Sequence, residues 1–200
     1  MKKGFKIIMA VLFVLLLTAC SSKGEENKKS YLTGKHYVEL KIKDYGIIKL
    51  KLDADIAPIT VTNFINLVND EFYNGLTFHR IIDGFMIQGG GYEKDGNRKE
   101  TDTIKGEFQA NGVKNTISHK RGVISMARAK SKNSASSEFF ITQADALHLD
   151  GNYAAFGYVI DGLDVVDKVA KKAKPIDNNG SIALADRPVI EYIKVIDEES

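Results

Sequence analysis

Tryptophan is absent from the 200 residues, cysteine occurs once and proline three times. The lone Cys20 excludes an intramolecular disulfide, so the fold must rest on packing and hydrogen bonds. An excess of one charge is missing too. Lys and Arg number 28 against 26 Asp and Glu, and the formal net charge of +2 gives no basis for nucleic acid as a partner. There is no internal repeat, which excludes solenoids and propellers, and no alternation of strands with helices, which excludes a doubly wound α/β sheet. The one long apolar run, Ile7 to Leu17, is too short to span a bilayer comfortably.

That run follows Lys2, Lys3 and Lys6 and ends in small residues, the pattern of a cleaved export signal. Leu17-Thr18-Ala19-Cys20 resembles the lipobox of bacterial lipoproteins, which implies cleavage before Cys20 and lipid on its sulfur. An ordinary signal or a membrane anchor with an incidental cysteine is the alternative. Lipidation gives a lone exported thiol a purpose, and two or more acyl chains suffice for stable anchoring. Removing residues 1–19 leaves 181 residues and takes the formal charge from +2 to −1. Residues 20–35, including the polar SSKGEENKKS, read as a lipidated cysteine and flexible tether, and 36–198 as one domain. The expected location is the extracytoplasmic face of a bacterial cell membrane.

Within the domain, alternation over Tyr37–Lys43 and Ile48–Leu52, with a turn at Asp44-Tyr45-Gly46, predicts a hairpin. Pro58 in a first turn, with Val61, Phe64, Ile65 and Val68 at helical spacing, predicts a helix ending near Asn69-Asp70. Residues 91–118 are polar and weakly patterned, and the charge-rich 92–100 stretch reads as a solvated loop. GVISMA at 122–127 and EFFIT at 138–142 predict two short buried strands. Another strand is expected over 155–160, a second helix over 163–170, and a last strand over 188–196 pairing with the first to close the sheet. Seven or eight strands with two helices predict a mainly β protein, a barrel with helices covering its ends.

FHRIIDGFMIQGG at 78–90 places Asp83-Gly84 between two apolar segments, a hairpin signal. Alternation sets Phe78, Arg80 and Ile82 on one face of the first strand, and Met86 and Gln88 on one face of the second. Arginine in such a ladder has two readings. It snorkels from an edge strand, or it points into a shallow apolar groove where low dielectric strengthens each hydrogen bond it donates.

Four motifs, FHRIIDGFMIQGG, ISMARA at 124–129, SASSEFFIT at 134–142 and LHLDGNYAAFG at 147–157, together resemble the cyclophilins, which are peptidyl-prolyl cis-trans isomerases. The resemblance runs from Val38 to Ile196, and its details look bacterial. It implies a closed eight-stranded antiparallel β-barrel capped by two α-helices, with a proline groove on the outside and no cofactor or metal. It places the catalytic arginine at Arg80 and the proline pocket at Phe85, Met86, Phe140 and Leu149. Polar and main-chain contacts fall on Gln88, Ala127 and Arg128, and the residue closing the pocket is Tyr153. Three positions depart from the family pattern. Arg128 stands where asparagine is common, at a contact made mainly through the backbone. Glu138 replaces a frequent glutamine, keeping acceptors and losing donors. His148 replaces a tryptophan that contributes to cyclosporin binding, so cyclosporin is expected to bind weakly.

The implied partners are proline-containing unfolded or newly exported polypeptides, and the membrane through Cys20. His79 is expected to face away from Arg80 as a packed residue, and Met126 to fill core. A weakly catalytic or non-catalytic proline-binding chaperone module is the alternative function. A ligand-holding barrel ranks last, because the apolar side chains in the motifs are too bulky to leave a lumen.

Overall fold

The computed structural model describes residues 30–198; the expected signal, Cys20 and most of the expected tether lie outside them. Strands β1 (Lys35–Ile42) and β2 (Gly46–Asp53) form the first hairpin, and helix α1 follows (Pro58–Asn69). Next come β3 (Phe78–Ile82), β4 (Met86–Gly89), β5 (Val123–Met126), β6 (Phe139–Thr142) and β7 (Ala155–Asp161). Helix α2 (Leu163–Lys172) and β8 (Ile190–Ile196) complete the chain order. The eight strands form one antiparallel sheet in the order β3-β4-β6-β5-β7-β2-β1-β8, with β8 on β1 as expected. The compact unit starts at Tyr31, ahead of the expected boundary at 36. Leu32 already packs against the core and donates its amide to Thr62 Oγ1 at 2.8 Å.

The sheet curls, yet its closure is narrower than a full barrel. The bounding strands β3 and β8 share no ladder. Three bonds between their approaches join them: Gly75 N to Ile190 O, Ile190 N to Leu76 O, and Phe78 N to Pro188 O. The physical reason lies at the outer edge of β3, where a second segment competes. Ile81 N bonds Gly180 O at 2.8 Å and Ile182 N bonds His79 O at 2.9 Å, so residues 180–182 cover the rest of that edge.

Alternation turns the apolar half of each strand inward. Ile81, Ile87, Ile141 and Ile124 sit opposite one another across β3, β4, β6 and β5, and all are fully buried. Phe64 from α1 meets Tyr73, Phe139 and Phe156 with ring centroids 5.1–5.6 Å apart, so the interior is filled rather than hollow. Met126 belongs to this core. Val165, Val166, Val169 and Ala170 of α2 pack on it as well.

Helix α1 has proline in its first turn and no local side-chain cap, since Ala57 occupies the N-cap. Glu107 supplies the cap from 47–48 residues away. Its carboxylate accepts from Ile59 N at 3.1 Å, Thr60 N at 2.7 Å and Thr60 Oγ1 at 2.7 Å. The weakly patterned stretch before β5 thus contains a residue that terminates a helix, as a negative charge at an N-terminus does well.

Candidate active site

One row of the outer face carries the groove. Arg80 on β3 stands opposite Gln88 on β4, Gln88 opposite Phe140 on β6, Phe140 opposite Ser125 on β5, and Ser125 opposite Ala155 on β7. Ile82 and Met86 form the neighbouring pair. The expectation that Phe78 shares a face with Arg80 is overturned. Phe78 pairs with Gly89 and Arg80 with the very next residue, Gln88, so His79 is the extra residue of a β-bulge. The bulge resets the alternation. Phe78 enters the core and packs edge-on to Phe139, while Arg80 stays outside. His79 is packed, but it does not point away from the site. Its ring lies 4.6 Å from that of Tyr92 and its Nε2 is 3.5 Å from Glu138 Oε2.

Arg80, Phe85, Met86, Gln88, Ala127, Arg128, Phe140, Leu149 and Tyr153 line a single open cavity of about 310 Å³. Nine of the residues singled out from sequence are thereby brought together. Glu138 stands one step aside, in an adjoining depression that shares Gln88, Ala127 and Arg128. His148 is an exposed rim residue with its ring 5.6 Å from Phe85.

Each wall has a cause. The β3–β4 loop is three residues long, Asp83-Gly84-Phe85, with Phe85 N bonding Ile82 O and Gly84 at φ +81°. Glycine suits that left-handed position because it has no Cβ to clash. Gln143 clamps this loop: its Oε1 accepts from Gly84 N at 2.6 Å, and its main-chain N–H donates to Phe85 O at 2.8 Å. Sequence reading missed Gln143, since nothing in a lone glutamine after β6 marks a partner 59 residues earlier. Phe140 is backed by His119, whose ring stacks nearly parallel at 6.0 Å, and meets Tyr153 edge-on at 6.0 Å.

His119 was also not singled out. It is fully buried, with Nδ1 2.8 Å from Asp150 Oδ1 and Nε2 3.0 Å from Ser125 Oγ. Burial pushes the imidazole pKa down, against the hydrogen bond to Asp150 that raises it. Burial also pushes Asp150 up, but bonds from the His119 amide, Ser118 and the His119 ring outweigh it and hold the carboxyl low. Neutral His119 therefore donates from Nδ1 to the acceptor-only carboxylate and accepts from Ser125 at Nε2. The connectivity is that of a nucleophilic triad. Ser125 is fully buried, however, so the network serves as a rigid backing for Phe140.

Arg128 does more than its backbone contact implies. Its guanidinium lies 4.7 Å from the Tyr153 ring and 5.1 Å from Phe108, and its Nε donates to Asn152 O at 3.0 Å. It thus holds the residue that closes the pocket. The 92–100 loop is not simply solvated either. Tyr92 bridges to Arg98, and Arg98 Nη2 is 3.6 Å from Glu138 Oε1.

Arg80 itself is fixed. Its Nε donates to Asn179 O at 2.7 Å, and Nη1 donates to Gln88 Oε1 at 3.3 Å, with the Met86 sulfur 3.8 Å away. Gln88 Nε2 donates in turn to Glu138 Oε2 at 3.0 Å. Because a carboxylate only accepts, Glu138 sets the amide so that its oxygen faces Arg80. Nη2 donates to no side chain or carbonyl among the described residues, which leaves two N–H groups of a permanent cation beside an apolar cup.

The site is thus an external apolar cup with a fixed cation beside it, on a half-closed antiparallel barrel. Comparison with known proteins gives the family. Residues 37–196 match the family model described as cyclophilin type peptidyl-prolyl cis-trans isomerase/CLD. Peptidyl-prolyl cis-trans isomerase A of Dickeya dadantii is 42% identical over 172 residues, covering 83% of this chain and 84% of that protein. Peptidyl-prolyl cis-trans isomerase B of Escherichia coli K12 is 44% identical over 135 residues, 63% of this chain and 79% of that one. A crystal structure of a Cryptosporidium parvum cyclophilin type isomerase, solved in the presence of the dipeptide Ala-Pro, superposes with a TM-score of 0.65 at 27% identity. It covers 81% of this chain and 99% of its own. The chain belongs to the cyclophilin family and is a peptidyl-prolyl cis-trans isomerase.

Proposed function

We propose that Arg80 performs the isomerisation by donating from Nη2 to the twisting prolyl amide, while Phe85, Met86, Phe140, Leu149 and Tyr153 hold the proline ring. The X–Pro bond resists rotation by about 18–20 kcal/mol because its amide is conjugated. Rotation breaks no bond, so the groove has to favour the state in which conjugation is lost and the nitrogen lone pair is localised. A donor that bonds this lone pair, or the prolyl carbonyl, does so more strongly in the twisted state than in either planar one, which is what lowers a barrier. The cup contributes the capture: burying a residue of proline's size is worth roughly 1.5–3 kcal/mol. Gln88, and the main chain at Ala127 and Arg128, hold the flanking peptide while the acyl carbonyl turns.

The observation that carries this reading is the pair of unused Nη2 hydrogens on a guanidinium already fixed at Nε and Nη1. Arg80→Ala, folded as judged by its melting transition, should lose about 10²–10³ in kcat/KM on an X-Pro peptide. A rate within threefold of wild type would refute the role. A proline-limited refolding assay separates this from the non-catalytic chaperone reading, because a binder does not accelerate refolding at substoichiometric amounts and an isomerase does.

The clients would be exported polypeptides, with the enzyme lipid-anchored through Cys20 on the extracytoplasmic face of a bacterial membrane. The lipobox-like sequence and the polar tether support that placement. Cyclosporin would bind weakly, since His148 offers the rim no indole.

A further inference from the structure

Arg80 depends on a turn 99 residues away that no motif marks. Asp177-Asn178-Asn179-Gly180-Ser181 folds on the Asp177 carboxylate, whose Oδ1 accepts from Asn179 N at 2.9 Å and from Ser181 N at 3.0 Å. The bond from Ser181, with those from neighbouring amides, holds the carboxyl below the usual range, so it is an anion at any working pH. The turn is then seated on β3. Gly180 O accepts from Ile81 N, and Ser181 bridges to Arg80. Gly180 sits at φ +85°, and a Cβ there would lie 2.5 Å from Ile82 Cγ1 and 2.7 Å from Ile81 O, so no larger residue permits this approach.

The consequence falls on Asn179, whose carbonyl is aimed at Arg80 Nε. Of the three contacts that the guanidinium makes, this 2.7 Å bond is the short one. Without it there remain a 3.3 Å bond to Gln88 and a sulfur contact at 3.8 Å. A guanidinium tied at Nε and at Nη1 has its plane fixed. Tied at Nη1 alone, it regains rotation about its stem, and Nη2 no longer points to one place.

We propose that Asp177 is a positioning residue for the isomerisation: it folds the 177–181 turn whose Asn179 carbonyl locks the Arg80 guanidinium in the proline groove. This rests on Arg80 as the donor to the twisted amide. None of residues 177–181 lines the groove cavity, so the effect of the turn is expected on kcat and not on KM.

The test is a kinetic double-mutant cycle on an X-Pro peptide, with Asp177→Ala, Asp177→Asn, Arg80→Ala and the Asp177→Ala/Arg80→Ala pair. Asp177→Ala is expected to lower kcat about tenfold, with KM within twofold of wild type. Asp177→Asn keeps the Oδ1 acceptor and should recover most of that loss. In the Arg80→Ala background, Asp177→Ala should change the residual rate by less than twofold. The same proportional loss in both backgrounds, or a rise in KM with kcat unchanged, would overturn the proposal while leaving Arg80 in its role. An Arg80→Ala protein of near-native rate would overturn the donor reading and this proposal together. Matching melting temperatures for wild type and Asp177→Asn keep the comparison within folded protein.

Discussion

Replacing His79 with glutamine isolates a pH dependence that the bulge in β3 builds in. Burial, followed by the charges of Arg187, Arg80 and Arg98, pushes the His79 pKa from 6.5 to about 4. Glu138 opposes them at 3.5 Å, but its carboxylate is shared with Gln88 and Arg98, and burial with three guanidiniums prevails. Above pH 6.5 the imidazole is neutral in both folded and unfolded chains and contributes no slope. As pH falls below 6.5 the unfolded chain takes up the proton first, and stability drops until the folded ring titrates near pH 4. The limiting slope is about 1.4 kcal/mol per pH unit, and integrated over this window the loss is at most about 3 kcal/mol. His79→Gln keeps a donor toward Glu138 and cannot titrate. Urea unfolding of both proteins between pH 7 and pH 4 gives the difference. Groups remote from His79 are the same in both proteins and cancel. Wild type should lose roughly 2–3 kcal/mol more than the variant over that range, whatever their offset at pH 7. Parallel curves would refute the reasoning, since they would mean that His79 is protonated as easily in the fold as out of it.

Glu107→Ala strips the N-terminus of α1 of its only side-chain cap and leaves three donors unpaired, the two on Thr60 fully buried and that of Ile59 half-buried. A cost of about 3 kcal/mol is expected, lowering Tm by roughly 6–12 °C; Glu107→Gln, which keeps an acceptor, should cost about half, and a shift under 2 °C for Glu107→Ala in a thermal melt would contradict the capping role. Cys20→Ala should move the protein from the membrane pellet to the soluble fraction of a bacterial lysate or its medium, and unchanged membrane retention would count against the lipid anchor.

The elements were legible wherever a local period fixes them. Val61, Phe64, Ile65 and Val68 announce α1 because a helix repeats every 3.6 residues, and Val38, Leu40 and Ile42 announce β1 because a strand repeats every two. Arg80, Phe85, Met86, Gln88, Phe140, Leu149 and Tyr153 were legible as a group through resemblance, and by periodicity alone Arg80 kept two readings. The bulge at His79 was not legible. Alternation assumes an uninterrupted ladder, and whether a residue is extruded depends on the partner strand, here Gly89 and Gln88 on β4.

The sequence by itself determined where the chain turns and, outside the bulge in β3, which residues face inward, because these follow from side-chain size, polarity and local backbone preference; the chemistry of the groove was legible through the resemblance of its motifs. Only the tertiary structure decided how the site is held. Glu107 caps a helix 47 residues behind it, Gln143 fixes the turn that presents Phe85, His119 backs Phe140, and Asn179 ties down Arg80 from 99 residues away. A hydrogen bond between residues so far apart in the chain leaves no periodic trace. It exists because the curl of the sheet brings the outer edge of β3 against the chain leading into β8, and that curl is set by the packing of the whole core.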